Sequence, residues 1–181
     1  MSDPYTLPPG LPVPEDDGAA DHLDGRELPD LELESSQGPV NVRELDVLYI
    51  YPRSGRPGEP SLPGWDETPG ARGCTPQSCG FRDHFAALQQ LGVAQLYGLS
   101  TQDTAYQREA VERLHLPFPV LSDESLELAR AIRLPTFTAA GMTLLKRMAW
   151  VIDDGVIAKV FYPVFPPDRS AEQILDWLKS R

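Results

Sequence analysis

The sequence predicts an α/β domain, with a central mixed β-sheet flanked by helices on both faces. Three observations predict it. Short runs of β-forming residues alternate with segments of helical period. The first run, Val47 to Tyr51 (VLYIY), is wholly apolar, as expected of a strand buried on both faces. Asp153, Asp154 and Gly155 separate two further runs, a hairpin signal that makes part of the sheet antiparallel.

Taken in order, Val47–Tyr51 is the first strand. Residues 75–91 read as a helix, because Phe81, Phe85, Leu88 and Leu91 recur at spacings of four and three and Gly92 stops the pattern. Residues 94–99 form the second strand. Residues 103–114 form the second helix, capped by Asp103 and closed before Pro117. A short strand at 119–121 leads to a helix that Asp123 caps and that runs to Ala131. The hairpin pairs 147–152 with 156–161. Ser170 caps the last helix, with Ile174, Trp177 and Leu178 as its inward stripe.

A chain of 181 residues is one domain's length, and it can bury roughly 70% of its unfolded surface without metal or disulfide staples. Net charge is −11, and its distribution is uneven. Residues 1–46 hold 12 acidic residues against Arg26 and Arg43, whereas residues 47–181 hold 15 acidic and 14 basic. An acidic chain without a basic stripe disfavours binding to nucleic acid or to anionic membranes. No apolar run reaches membrane-spanning length, and Met1 to Pro4 lack the basic and apolar features of a signal peptide, so a soluble, cytoplasmic protein is expected.

Two irregular segments punctuate the pattern. Residues 1–27 form an acidic, proline-rich arm (Pro4, Pro8, Pro9, Pro12, Pro14), too polar to build a core of its own. It is either a solvated extension or a strap that docks across the domain of residues 28–181 or a partner. The second segment runs from Pro52 to Gly73, alternating prolines and glycines. A loop this long inside a compact domain is more often a binding loop or lid than a spacer.

That loop ends at Cys74, in the run Gly73, Cys74, Thr75, Pro76, Gln77, Ser78, Cys79. Zinc would need two further ligands, and only His22, His84 and His115 are available, scattered through unlike elements. A Cys–His hydrolase fails on distance. His84 lies ten positions on, roughly 15 Å along a helix. Pro76 suits a first helical turn, which puts Cys74 at a helix N-terminus, where free N–H groups and the dipole favour an anion; Arg72 stands two residues before it. The pattern points to a reactive thiolate. On a continuous helix Cys74 and Cys79 would diverge by about 140° and rise roughly 7.5 Å, beyond the reach of a disulfide. If the two thiols work together, the first turn must unwind, which Gly73 and Gly80 would ease.

The run GCTPQSCGFRD, preceded by LYIYP and followed by LYGLSTQ, LPFPVLSD, ELARAI, RMAWVIDDG and ILDWL, resembles the peroxiredoxins, most of all their bacterioferritin-comigratory, or PrxQ-type, branch. The resemblance covers about residues 28–181. It implies a thioredoxin-like fold, no cofactor, and reduction of hydrogen peroxide and organic hydroperoxides, with electrons from thioredoxin or a similar dithiol protein. Carried onto this chain, Cys74 would be the peroxidatic cysteine and Cys79 the resolving one, the two closing an intramolecular disulfide. Arg147, six residues before Asp153, would match the arginine that points at the peroxide.

The chain departs from the branch in one place. The signature has Pro seven and Thr three residues before the peroxidatic cysteine, where this chain has Glu67 and Ala71. Thr68, with Pro69 and Gly70, then becomes the candidate hydroxyl donor, and Thr75 the second choice. Arg82 and Asp83 match the branch's helix motif and read as structural; Trp65, Trp150 and Trp177 read as core or loop aromatics. Two other functions fit the same cysteines. One is a redox switch acting through partner binding; the other is a disulfide reductase, against which the absence of C-x-x-C counts. One cysteine pair per chain makes a monomer self-sufficient, and a dimer through a helix face stays open.

Overall fold

The computed structural model describes residues 3–181. A hairpin of β1 (Glu32–Ser35) and β2 (Gly38–Asn41) precedes β3 (Val47–Ile50). The helices α1 (Cys74–Asp83) and α2 (Phe85–Gln90) lead to β4 (Leu96–Ser100), and α3 (Thr104–Leu114) leads to β5 (Val120–Ser122). After α4 (Glu127–Ile132) come a second hairpin, β6 (Thr136–Ala139) with β7 (Met142–Leu145), and a third, β8 (Met148–Asp153) with β9 (Val156–Phe161). Helix α5 (Ser170–Lys179) ends the chain.

Seven strands form one sheet in the order β2-β1-β5-β4-β3-β8-β9. The β3–β4 and β4–β5 pairs are parallel, while β8, β9, β1 and β2 join antiparallel, so the sheet is mixed as the hairpin signal requires. Strand β3 is buried at every position. Its period of two sends Val47 and Tyr49 to one core, with Phe81, Leu88, Leu114 and Ile174, and Leu48 and Ile50 to the other, with Leu23, Leu128, Ile132 and Trp150. Helices therefore cover both faces. Among the described residues no helix is long and apolar enough to cross a membrane.

Several local expectations need correction. The β1–β2 hairpin is an addition to the expected elements: Gly38 and Pro39 argue against a strand, but β2 is an edge strand, where proline is tolerated. The β6–β7 turn uses Ala140 and Gly141 at φ 50° and 76°, and alanine gives little turn signal. The helix expected over 75–91 breaks at His84 (φ −100°, ψ 6°). Beyond the break Leu88 enters the core while Leu91 stays 39% exposed. Ser170 does not cap α5 with its side chain; its buried hydroxyl accepts from Gln77 instead. Asp123 caps α4 across an extra turn, its carboxylate accepting from the Leu128 and Ala129 N–H groups at 3.0 and 2.9 Å.

The arm lies across the domain rather than out in solvent. Ala20 and Leu23 are buried in the core that also holds Trp150, and Asp17 accepts from Lys146 at 2.9 Å and from the Tyr162 hydroxyl at 2.7 Å.

Candidate active site

Cys74 is the first residue of α1. Gly73 before it holds φ 114°, a conformation that penalises any side chain, and a β-carbon there would lie 2.6 Å from Pro167 and 3.0 Å from Leu7. A β-carbon on Gly80 would lie 3.0 Å from the Asp168 carbonyl oxygen. These glycines therefore let α1 press against the 167–169 turn, a role that their nearness to the cysteines did not suggest.

The second element is Arg147, between β7 and β8. Ile50 pairs with Met148, so Arg147 stands just beyond the end of β3, facing the start of α1. Its Nη2 donates to Cys74 Sγ at 3.2 Å and to the Ala71 carbonyl at 2.9 Å, and Nη1 donates to Gln77 Oε1. Gln77 follows Cys74 by three positions, on the same helix face, and its Nε2 donates to Ser170 Oγ at 3.3 Å. All of these groups are buried: Cys74 is 4% exposed, Arg147 3% and Gln77 fully enclosed. A guanidinium fixed against the sulfur stabilises an anion there without a general base. The sequence points to no functional role for Gln77 and to Ser170 only as a helix cap; the i, i+3 spacing of Gln77 from Cys74 is the signal that could have found it.

Arg72 does not serve the sulfur. Its guanidinium donates to Asp66 Oδ1 at 3.0 Å and to the arm carbonyl of Asp3 at 2.7 Å. Thr68 is likewise elsewhere. Its hydroxyl donates to the Gly64 carbonyl at 2.8 Å, closing a turn of the loop, and it borders a neighbouring cavity of about 500 Å³. The cavity that opens on Cys74 is smaller, about 90 Å³, and is lined by Thr75, Arg53, Leu62, Trp65 and Tyr106 among others.

Cys79 lies further along α1, half-buried, and both thiols are free. Burial pushes the Cys79 thiol above the usual range, with the nearby Arg82 guanidinium opposing. Arg82 donates to the Leu114 carbonyl at 2.8 Å and pairs with Asp83, tying α1 to α3. Trp65 borders the Cys74 cavity, Trp150 is fully buried in the core, and Trp177 stacks under Arg181. His84 meets Glu172 at 3.8 Å, His22 caps the Ile132 and Arg133 carbonyls, and His115 ends α3. Among the described residues no three His, Cys, Asp or Glu side chains converge as a metal site would require.

Comparison with known proteins agrees with this geometry. The redoxin family model matches residues 24–175. The chain is 29% identical over 162 residues to chloroplastic peroxiredoxin Q of Arabidopsis thaliana, a match covering 86% of this chain and 67% of that protein. It is 32% identical over 135 residues to chloroplastic peroxiredoxin Q of Oryza sativa subsp. japonica, covering 74% of this chain and 54% of that one. The chain thus spans between about half and two thirds of the length of these curated relatives. Among solved structures, peroxidoxin BcpB of Mycobacterium tuberculosis superimposes with a TM-score of 0.68 at 26% identity, covering 87% of this chain and 96% of that one. With its mixed sheet, its cysteine at the start of α1 and a match over most of its length, the chain belongs to the redoxin family, as a thioredoxin-fold peroxiredoxin of the PrxQ type.

Proposed function

We propose that the chain is a thiol peroxidase that reduces hydrogen peroxide and organic hydroperoxides through Cys74. The observation that carries this reading is the 3.2 Å contact from Arg147 Nη2 to a sulfur at a helix N-terminus that borders a small open cavity. The Cys74 thiolate attacks one peroxide oxygen; the O–O bond breaks, water or an alcohol leaves with a proton, and a sulfenic acid remains on Cys74. Arg147 and the first-turn N–H groups hold the charge that moves from sulfur to the departing oxygen.

Cys79 then attacks the sulfenic sulfur, water leaves, and an intramolecular disulfide forms. With α1 continuous from Cys74 to Asp83, the first turn must unwind, and Gly73 and Gly80 must part from the 167–169 turn. A thioredoxin-like dithiol protein returns two electrons and two protons. The cycle needs only one chain and a reducing compartment such as the cytoplasm, and a monomer would suffice. Neither Thr68 nor a bound cofactor has a part in this scheme. Thr75, unlike Thr68, lines the Cys74 cavity.

Intact mass after one equivalent of hydrogen peroxide tests the cycle. The wild type should lose about two mass units, and Cys79→Ser should gain about 16 or 32 as sulfenic or sulfinic acid. No change in either protein would overturn the peroxidase reading.

A further inference from the structure

The walls of the Cys74 cavity carry three guanidiniums, those of Arg53, Arg56 and Arg72. Two are already neutralised. Arg56 pairs with Glu109 at 3.1 Å and with Glu59 at 3.8 Å, and it lies over the Tyr106 ring at 4.1 Å. Arg72 pairs with Asp66 and binds the arm. Among the described residues Arg53 has no carboxylate partner. Its Nη1 meets only the Met142 sulfur at 3.8 Å, and its guanidinium lies 5.8 Å from the Tyr106 centroid.

The base of Arg53 is pinned. The next residue, Ser54, is buried, and both its N–H and its hydroxyl donate to Gln102 Oε1 at 3.1 Å while Gln102 Nε2 donates back to the Ser54 carbonyl at 2.9 Å. The cation is thus presented from a fixed backbone, which lowers the cost of ordering it around a ligand. Among the described residues Glu59 is the one acidic residue on the cavity wall, and it is occupied by Arg56 and by the Tyr106 hydroxyl at 3.2 Å. In a chain of net charge −11 the overall field repels anions, and a free guanidinium here reverses it locally.

We infer that this cavity prefers hydroperoxides that carry a carboxylate, and that Arg53 is the specificity-determining residue that receives it. The inference rests on the peroxidase reading above and narrows its substrate class. Hydrogen peroxide itself is neutral and needs no such cation. Cys74 and Arg53 line the same cavity of about 90 Å³, together with the apolar side chains of Leu62 and Trp65, a lining that suits a short aliphatic chain with a peroxide at one end and a carboxylate at the other. The chemistry is otherwise unchanged. The O–O bond breaks, one oxygen passes to Cys74, and the corresponding hydroxy acid leaves.

The experiment compares Cys74 oxidation rates by a short carboxyalkyl hydroperoxide and by its neutral methyl ester, with hydrogen peroxide on the wild type as reference. The wild type should favour the acid by about fivefold, what one partly exposed charge pair supplies. The preference should shrink as salt is raised. Arg53→Gln should bring the acid-to-ester ratio to about one, and Arg53→Lys should keep part of it. A wild-type ratio near one, or a ratio that survives Arg53→Gln, overturns the inference while leaving the peroxidase reading intact. Failure of the wild type to react with hydrogen peroxide overturns the peroxidase reading instead.

Discussion

Arg72 and Arg147 are both nearly enclosed, at 8% and 3% exposure, and one is near Cys74 in sequence while the other meets it in space. Arg72 is two residues from Cys74 in sequence, but its guanidinium turns to Asp66 and to the carbonyls of Asp3 and Thr6, where it fastens the loop to the arm. Arg147 is 73 residues away and donates directly to Sγ. At a helix start the backbone N–H groups and a properly aimed distant cation act on the anion, while a side chain just upstream projects wherever its own turn sends it. Charge near a thiol in sequence is therefore a weak guide to charge near it in space.

The largest expected effect separates these two arginines. Arg147→Gln should slow Cys74 oxidation by hydrogen peroxide by about 10²- to 10³-fold, the usual loss when a fixed donor at a developing charge is removed. Arg72→Gln should change that rate by no more than about threefold; equal losses in stopped-flow assays would break the comparison. Next is Gln77→Ala, which takes away a buried acceptor of Arg147 and leaves Ser170 without its donor. It should lower stability by about 1.5–3 kcal/mol in denaturant titrations and reduce the oxidation rate as Arg147 loses its aim.

Gly73→Ala places a side chain at φ 114° and against Pro167. It should cost about 1–3 kcal/mol of stability, read as a lower Tm. Smaller again is the signature of Cys79. Burial holds its proton, so in a Cys74→Ser background its alkylation should follow a titration displaced above that of a free thiol, and mild denaturant should erase the displacement.

The smallest effect lies in the arm. Hydrogen bonds from Lys146 and then Tyr162 hold the Asp17 carboxyl well below the usual carboxylate range. Such a lowered value adds stability above the unfolded value of about 3.9, and the contribution is lost as pH falls below it. Asp17 is 45% exposed, so solvent weakens the contribution. Limited proteolysis should cut the arm faster at low pH, and Asp17→Asn should make cutting fast at neutral pH as well.

Much of the fold was legible because its signals are local. The apolar run of β3, the period of α3 with its Asp103 cap, and the Asp154–Gly155 turn (φ 48° and 76°) each depend on a few adjacent residues. What stayed illegible depended on placement in the sheet. Pro39 is tolerated in β2 only because that strand is an edge. The helix break at His84 has no residue type that announces it. The motif points to Thr68, but with Ala71, Arg72 and Gly73 inserted between its Thr-Pro-Gly run and Cys74, the loop turns so that the Thr68 hydroxyl is used internally.

By itself the sequence determined the chemistry on offer: a cysteine ahead of Thr75 and Pro76 at a helix start, a second cysteine five residues on, and alternating strands and helices with a hairpin that makes the sheet mixed. These follow from backbone preferences that act over a few residues. Only the tertiary structure decided which cation meets the sulfur, what holds that cation, and where the acidic arm goes. Contacts between Cys74 and Arg147, Gln77 and Ser170, or Arg72 and Asp3 span 69 to 93 positions and form only once β3, β8 and α5 pack against α1. Hydrogen bonds among buried polar groups are short-ranged, and each can be made only at the geometry that the whole packed core sets.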